Sequence, residues 1–372
     1  MSPLQSWAPE LRNLAEQTKK DKCDITIDTP TYIMKIDASV NMYHHFCDFL
    51  NLYASQHLNA TINYPSYNEK QFSTDNHILI WENVPYRSAF APAFEAFTAH
   101  SLWNLDTFAG KQVCFKHVVF PLLPRMIYGL YYNTPLSVEG EKCSGSGLFR
   151  AFTEHMAHRM GLSPPLPHQG PVRVTIMHRL TQHRQILNLK ELVDTLKDSG
   201  SYEVQVAQFT HGRPSFLEQL KVVREQTDIL VGIHGAGLTH LLFLPNWAAV
   251  FELYHCDDPS CYHDLARLKG VKHVAWTNES LVYHYEAGDE NSDGGGRNRP
   301  AVSKFQNYKF DRFEFLRKIQ EAEHHVRNHP AFKVSKRHQD HVVADINVNK
   351  ESLDYNSNHK FDIKSTKIND EL

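Results

Sequence analysis

Several sequence patterns are missing from this chain of 372 residues, and each absence narrows its class. No stretch approaches the roughly 18 apolar residues that a membrane-spanning helix needs, so no transmembrane segment is expected. The 39 basic and 42 acidic side chains give a formal charge of −3, which provides no electrostatic basis for binding nucleic acid. None of the six cysteines forms a C-x-x-C pair, so zinc knuckles and thioredoxin chemistry are not expected.

A glycine-rich turn at 232–237 is the most informative segment of the chain. The apolar run 228–231 leads into this turn, and a second apolar run follows at 248–253, so the pattern predicts strand, turn, helix and strand. Glycines let the backbone approach a ligand closely, and the N-terminus of the following helix presents unpaired N–H groups that suit phosphate. We therefore predict a phosphate-binding turn formed by Gly235, Ala236, Gly237, Leu238 and Thr239.

Three side chains around the turn are further candidates. His234 and His240 flank it, and each can donate a hydrogen bond to phosphate or simply orient the loop. We include His234 among the predicted ligands. Glu252 ends the second apolar run, where nucleotide sites place the acid that binds the ribose hydroxyls. A solvated carboxylate at the end of a strand is the alternative for Glu252.

A second polar cluster follows the apolar run 172–177. Arg179, Arg184 and Asn188 lie between this predicted strand and the next helix, where parallel sheets meet their ligands. Two arginines at this edge can neutralise a diphosphate, whereas arginines on an ordinary surface are the alternative. We predict that all three residues bind the nucleotide.

The order of apolar runs predicts an α/β fold. From residue 172 onward, predicted strands alternate with helices of about ten residues, which indicates βαβ units and a parallel sheet. We assign 1–165 to a partial N-terminal α/β domain and 170–305 to a Rossmann-like nucleotide-binding domain. The segment 306–332 is predicted to form a closing helix, and the polar tail 333–372 is predicted to be disordered.

A polar stripe on the predicted helix 41–57 is the candidate catalytic feature. Spacings of three and four residues place Asn41, His44 and Asp48 on one face. A carboxylate beside an imidazole fixes its tautomer and raises its basicity, as a general base for a hydroxyl group requires. Either His44 or Asp48 can be the base, and a solvated polar face is the alternative for the whole stripe.

The chain resembles the glycosyltransferase 61-like family of endoplasmic-reticulum O-linked N-acetylglucosamine transferases that modify EGF-like domains. The matching segments occur in the expected order over most of the chain: 2–7, 41–48, 113–116, 122–126, 131–136, 147–152, 234–240, 242–245, 247–253 and 264–268. The loop near 288–296 and the tail after Phe332 depart from the family pattern.

The resemblance implies the GT-B architecture, with two facing Rossmann-like domains, of which the N-terminal one is expected to be truncated. It also implies inverting transfer of N-acetylglucosamine from UDP-GlcNAc to Ser or Thr of EGF-like domains, with His44 or Asp48 as the base. A related transferase acting on an O-mannose or other glycan acceptor is one alternative. A non-catalytic luminal protein that binds UDP or an EGF-like domain is the other.

No metal or cofactor is expected, with UDP-GlcNAc serving as donor substrate. No two aspartates lie two positions apart, so the Asp-x-Asp pair with which other sugar transferases hold Mn²⁺ is missing. Asp257-Asp258 is the nearest approach, in a loop between Cys256 and Cys261. In an oxidising compartment these two cysteines can form a disulfide, and two buried thiols are the alternative.

The two ends of the sequence give opposing indications. Residues 1–7 lack the charged and apolar regions of a signal peptide, whereas Asn369-Asp370-Glu371-Leu372 resembles a KDEL-type retrieval signal. We expect a protein of the endoplasmic reticulum lumen that binds the retrieval receptor and whose natural N-terminus begins further upstream.

Overall fold

The computed structural model describes residues 5–11, 22–57, 72–125, 145–210, 213–254, 256, 258–286 and 305–333. The predictions for the loop 288–296, for the tail beyond 333 and for the four C-terminal residues lie outside these ranges. Among the described residues, none of the helices combines the length and apolar character of a membrane span.

The first half of the described chain is built on a parallel sheet of four short strands, in the order β4-β3-β2-β6. A second, two-stranded parallel sheet pairs β1 with β5, and a disulfide between Cys23 and Cys114 joins the two segments. Spacing had not indicated this disulfide. The elements are α1 (Ala8–Leu11), β1 (Ile25–Ile27), β2 (Thr31–Met34), α2 (Met42–His57), β3 (His77–Ile80), β4 (Trp103–Asn104), β5 (Val113–Phe115), β6 (Val118–Val119) and α3 (Gly147–Arg159), with 3₁₀ helices at Ala91–Ala96 and Leu105–Phe108.

The second half contains a parallel sheet of five strands in the order β11-β10-β9-β7-β8. The predicted alternation of strands and helices is confirmed, with bounds that differ by one or two residues. The elements are β7 (Val172–Met177), α4 (Leu189–Asp198), β8 (Tyr202–Ala207), α5 (Phe216–Glu225), β9 (Ile229–Gly232), a 3₁₀ helix (Ala236–Phe243), β10 (Ala249–Glu252), α6 (Cys261–Lys269) and β11 (Lys272–Ala275).

The chain then returns to cover this sheet. After a short 3₁₀ helix, Glu279–Leu281, strands β12 (Val282–Glu286) and β13 (Gln306–Phe310) pair antiparallel, and α7 (Arg312–Asn328) follows. The segment 306–332, predicted as a closing helix, thus contains strand β13 followed by helix α7. The Asp311 carboxylate accepts hydrogen bonds from the backbone N–H groups of Phe313 and Glu314, which caps the helix at that point.

One hydrophobic core runs through both halves. Phe46 on α2 has its ring centroid 5.8 Å from those of Phe216 on α5 and Phe243 in the 3₁₀ helix 236–243. A second core lies on the other face of the five-stranded sheet, where α4 and α7 pack. The described chain is thus a mixed α/β structure with parallel sheets, in which α2 contacts the element that follows the glycine turn.

Candidate active site

The candidate site lies where the order of strands in the larger sheet reverses. When β7 to β11 are numbered 1 to 5, their order across the sheet is 2-1-3-4-5. The connection that leaves β7 therefore runs to one side of the sheet, and the connection that leaves β9 runs to the other. Ligands of open α/β sheets bind at this switch point, outside the carboxyl ends of the strands. Arg179 follows β7 by two residues, and the glycine turn follows β9, so both predicted nucleotide-binding segments meet at this edge.

A cavity of about 830 Å³ opens at this edge. Residues 40–44 and 89–90 line it from the first half of the chain, and residues 177–181, 184, 209–210, 219, 233–238, 240, 258, 261 and 262 line it from the second. His44, Arg179, Arg184 and His234 all face this one cavity, as do Gly235, Ala236, Gly237 and Leu238. Most of the predicted site residues are therefore brought together.

The glycine turn is held against two guanidinium groups. Gly235 has φ +153°, and a Cβ atom placed there would lie 2.5 Å from a terminal nitrogen of Arg179 and 3.1 Å from one of Arg184. Gly237 is less constrained, because a Cβ atom there would have its nearest contact with Met177 Sδ at 3.7 Å. Gly235 is thus the glycine that permits the arginines to approach the turn.

Arg184 adopts an unusual backbone conformation. Its φ of +60° lies in the left-handed region, which costs a residue with a Cβ atom about 1–2 kcal/mol. Its N–H donates to the carbonyl of Gln306 at 2.7 Å, and its Nη1 donates to the carbonyl of His234 at 3.0 Å. Arg179 lies beside it, and burial together with the charge of Arg184 lowers the pKa of Arg179. Two cations held this closely create a site for an anion.

Glu252, which was predicted to bind ribose, does not line the cavity. Its side chain is 1% exposed and lies between His234 Nδ1, at 2.9 Å from Oε1, and His273 Nε2, at 3.0 Å from Oε2. Burial raises the pKa of Glu252, but these two hydrogen bonds outweigh burial and leave the pKa below its ordinary value. Glu252 is therefore an ionised group that orients His234.

Of three other predicted residues, Thr239 and Asn188 lie outside the cavity lining, whereas His240 is part of it. Thr239 is fully buried and does not line the cavity. His240 is also buried, and its Nδ1 lies 2.7 Å from the carbonyl of Gly237, so it orients the turn. Asn188 lies outside the cavity: its amide donates to the carbonyl of Phe310 at 2.8 Å and accepts from the N–H of Phe310 at 3.1 Å. Asn188 was predicted as a nucleotide ligand, but its position does not match that prediction. Both the nitrogen and the oxygen of its side-chain amide bond to the backbone of Phe310 in β13.

The candidate base is paired with an aspartate that sequence spacing did not indicate. His44 Nδ1 lies 2.8 Å from Oδ2 of Asp37, whose side chain is 2% exposed and forms an ion pair with Arg125 through its other oxygen. A carboxylate at Nδ1 holds the proton there and leaves the lone pair of the neutral ring on Nε2. Asp37 follows β2 by three residues. An acid just beyond the carboxyl end of a strand is the signal that could have identified it.

Asp48, which was predicted to pair with His44 in the cleft, contacts His45 instead and does not line the cavity. Its carboxylate is completely buried, 2.8 Å from Nδ1 of His45, and also accepts the backbone N–H of Asp37 at 3.2 Å. Burial raises the pKa of Asp48 to about 6, although the contact with His45 lowers it. Residue 48 thus lies on the inner face of α2, where it supports the loop that carries Asp37.

The two cysteines beside this site are thiols and do not form the predicted disulfide. Cys256 is buried, with its sulfur 4.0 Å from the hydroxyl of Tyr308. Cys261 begins α6 at the edge of the cavity, where the Tyr43 hydroxyl hydrogen-bonds its sulfur. The two sulfurs therefore contact different tyrosines.

The sequence of the segment that contains these features matches a family model, Glycosyltransferase 61, over residues 42–251. That match covers more than half of the chain. The chain belongs to glycosyltransferase family 61. The match begins at helix α2, which carries His44, and ends in β10 next to Glu252, so it spans both walls of the cavity.

Curated relatives extend the likeness. A Drosophila melanogaster protein named "EGF domain-specific O-linked N-acetylglucosamine transferase" is 49% identical to this chain over 89% of its length. The protein of the same name from Pan troglodytes is 46% identical over 91% of the chain. A protein of the same name from Xenopus laevis is 45% identical over 88% of the chain. The chain spans 60–62% of the length of these relatives.

Proposed function

We propose that this family 61 protein is an inverting glycosyltransferase that moves N-acetylglucosamine from UDP-GlcNAc to a Ser or Thr hydroxyl of an EGF-like domain. One observation carries the proposal: a carboxylate-backed imidazole and a pair of arginines at a sheet switch point face the same cavity. Hydroxyl activation and diphosphate binding are the two tasks of such a transfer. The names of the relatives supply the sugar and the acceptor.

In the proposed mechanism, His44 accepts the proton of the acceptor hydroxyl as oxygen attacks the anomeric carbon from the face opposite the diphosphate. Asp37 stabilises the imidazolium that forms, and Arg125 forms an ion pair with Asp37. Arg179, Arg184 and the N–H groups of the turn neutralise UDP as the bond to the sugar breaks. Attack and departure on opposite faces invert the anomeric centre.

We propose further that the two parallel sheets correspond to the facing domains of the GT-B architecture. The cavity draws lining residues from both halves of the chain, which supports this assignment. We also propose that transfer requires no resident metal. The two arginines beside the turn supply the positive charge that a cation would otherwise provide at the diphosphate.

The endoplasmic reticulum lumen remains our proposed compartment. The disulfide between Cys23 and Cys114 supports an oxidising environment, since such bonds persist mainly in secretory compartments. The sequence Asn369-Asp370-Glu371-Leu372 supports binding to a retrieval receptor. Proteins with EGF-like domains that pass through this lumen are the proposed acceptors.

The decisive experiment is a transfer assay with the purified chain, UDP-GlcNAc and an isolated, folded EGF-like domain. Transfer of one N-acetylglucosamine, detected by mass spectrometry, is the expected result. Transfer only to an O-mannosylated peptide offered in parallel would identify a different acceptor class. UDP binding by calorimetry without transfer to either acceptor would identify a binding protein instead of an enzyme.

A further inference from the structure

Three side chains with metal-ligating atoms meet in the lining of the cavity. A ring nitrogen of His234, a carboxylate oxygen of Asp258 and the sulfur of Cys261 all lie within 4.8 Å of one another. Each of the three residues also lines the cavity. We propose that this triad, His234–Asp258–Cys261, is a zinc-binding site.

The donor set selects the type of metal. Imidazole, thiolate and carboxylate together suit Zn²⁺, whereas Mg²⁺ and Ca²⁺ prefer oxygen ligands alone. With bonds of about 2.0–2.3 Å, the ligand atoms around tetrahedral zinc lie about 3.3–3.8 Å apart, so the triad would contract by at most about 1.5 Å. Asp258 and Cys261 are three residues apart at the start of α6, in the loop and the first turn, where such a movement is small. A fourth coordination position would face the cavity.

Each of two ligands is already held by an outer partner. His234 gives its Nδ1 to Glu252, which is in turn held by His273, so Nε2 is the nitrogen available for a metal. Metal-binding histidines almost always have a carboxylate or carbonyl at the second ring nitrogen. Cys261 accepts a hydrogen bond from Tyr43 and is the first residue of α6. A helix N-terminus favours the thiolate, which is the form that binds zinc.

The arginines of the site oppose a cation, whereas a carboxylate and a thiolate attract one. Arg184 donates to the carbonyl of His234, and Arg179 lies against Gly235. The charges of the two arginines repel Zn²⁺, and Asp258 and Cys261 are the ligands that can offset this repulsion. With both ligands ionised, two negative charges match the two positive charges of the ion. We therefore expect a site of moderate affinity that takes up zinc without adding net charge to the cavity.

One consequence rests on the proposed function. His234 Nε2 can offer its lone pair to zinc or a proton to a donor phosphate, but it cannot do both. Bound zinc should therefore weaken UDP binding, so the site would act as a zinc-sensitive inhibitory site and not as a requirement for transfer. No metal had been expected at Asp257-Asp258, because the sequence has no Asp-x-Asp pair.

The test begins with the full chain, stripped of metal by chelation, and Zn²⁺ alone. Calorimetry should show one bound ion, and Co²⁺ in its place should give the intense thiolate-to-cobalt absorption band that marks a cysteine ligand. Cys261→Ser should abolish that band and lower zinc affinity by more than tenfold. Glu252→Gln should lower zinc affinity by about 10- to 100-fold through loss of the outer partner.

Two further variants keep the test decisive. Asp258→Asn removes the carboxylate charge and should also lower zinc affinity, which covers the case in which Cys261→Ser is unstable. His263→Ala removes an exposed histidine from the same helix and should leave affinity unchanged. Absence of stoichiometric binding, or equal affinity in wild type, Cys261→Ser and Asp258→Asn, would overturn the zinc site. UDP binding measured in chelator would be unaffected by that outcome, so it tests the proposed function separately.

Discussion

The Nδ1 atom of His44 lies 2.8 Å from the Oδ2 atom of Asp37, seven residues earlier in the chain. This contact joins the start of helix α2 to the loop after β2 and orients the imidazole towards the cavity. It replaces the expected pair of His44 and Asp48 on one helical face. The candidate base therefore depends on tertiary structure and not on helical spacing.

Replacing either His44 or Asp37 should reduce turnover without lowering the affinity for the donor nucleotide. His44→Ala and Asp37→Asn should each lower the rate of transfer by about 10² to 10⁴, the usual range for loss of a general base, while UDP affinity stays constant. The two losses should not add in the double variant. Asp75→Asn is the matched control, because Asp75 contacts His100 at the same 2.8 Å on the surface. Near-normal turnover in His44→Ala would place the base elsewhere.

Adding one methyl group at Gly235 should disrupt the donor site. A Cβ atom there displaces the terminal nitrogen of Arg179 and strains a backbone with φ +153°, so Gly235→Ala should lower UDP affinity by at least about tenfold, or 1.4 kcal/mol. Gly147→Ala is the control, since a Cβ atom at that position meets no atom within 4 Å. Calorimetry with UDP measures both variants. Equal UDP affinity in the Gly235→Ala and Gly147→Ala variants would show that the nucleotide does not bind at this turn.

Arg184 allows function and stability to be separated. Arg184→Gly and Arg184→Ala both remove the guanidinium and should weaken UDP binding to a similar extent. Glycine accepts φ +60° without penalty, so Arg184→Gly should be more stable than Arg184→Ala by about 1 kcal/mol. Urea unfolding of the two proteins gives this difference. Equal stabilities would indicate that the backbone relaxes when the side chain is lost.

Transfer should survive exhaustive chelation. The arginines beside the glycine turn are proposed to carry the charge of departing UDP, so removal of divalent ions with a strong chelator should change the initial rate less than twofold. The assay uses the EGF-like acceptor with and without chelator. Loss of activity that Mn²⁺ restores would contradict the arginine mechanism.

Stability should decrease in mild acid through His155. This residue donates from Nε2 to the carbonyl of Ala96 at 3.0 Å, and burial lowers its pKa from 6.5 to about 4. Between these values the unfolded chain binds a proton that the folded protein excludes, so stability is lost as pH falls from about 6.5 towards about 4.

The matched variants for this prediction are His155→Gln, which keeps an N–H donor without titrating, and His158→Gln, which alters an exposed histidine on the same helix. Urea unfolding at pH 7 and pH 5 should show a smaller loss of stability for His155→Gln than for the wild type. His158→Gln should behave like the wild type. Identical losses in all three proteins would assign the acid sensitivity to other groups.

Local patterns predicted the elements well, because hydrophobic periodicity directly reflects which face is buried. Strand β7 was predicted with its observed bounds, and the turn after β9 was placed in the cavity together with Arg179 and Arg184. The direction of polar side chains was less predictable. Asp48 contacts His45 on the adjacent turn of the same helix. Glu252 contacts His234, which is close to it only in the folded chain.

Pairing across the fold had no signal in spacing. Asp37 and Arg125 are separated by much of the first half of the chain, and Cys23 joins Cys114 over a separation of 91 residues. Such contacts follow from the register of parallel strands, which a single sequence does not specify. The sequence thus indicated which types of side chain the site contains, and the topology of the fold determined which individual residues of each type come together.

The ring of Phe46 packs between the elements that carry the two candidate parts of the site. Phe46 is two residues from His44, and its ring contacts both Phe216 and Phe243, the latter at the end of the 3₁₀ helix that begins beside Gly235. The candidate base and the candidate donor site are therefore attached to the same packed side chain. Phe46 does not line the cavity, so a change in the size of its ring would act on the spacing of base and donor site without touching either substrate directly.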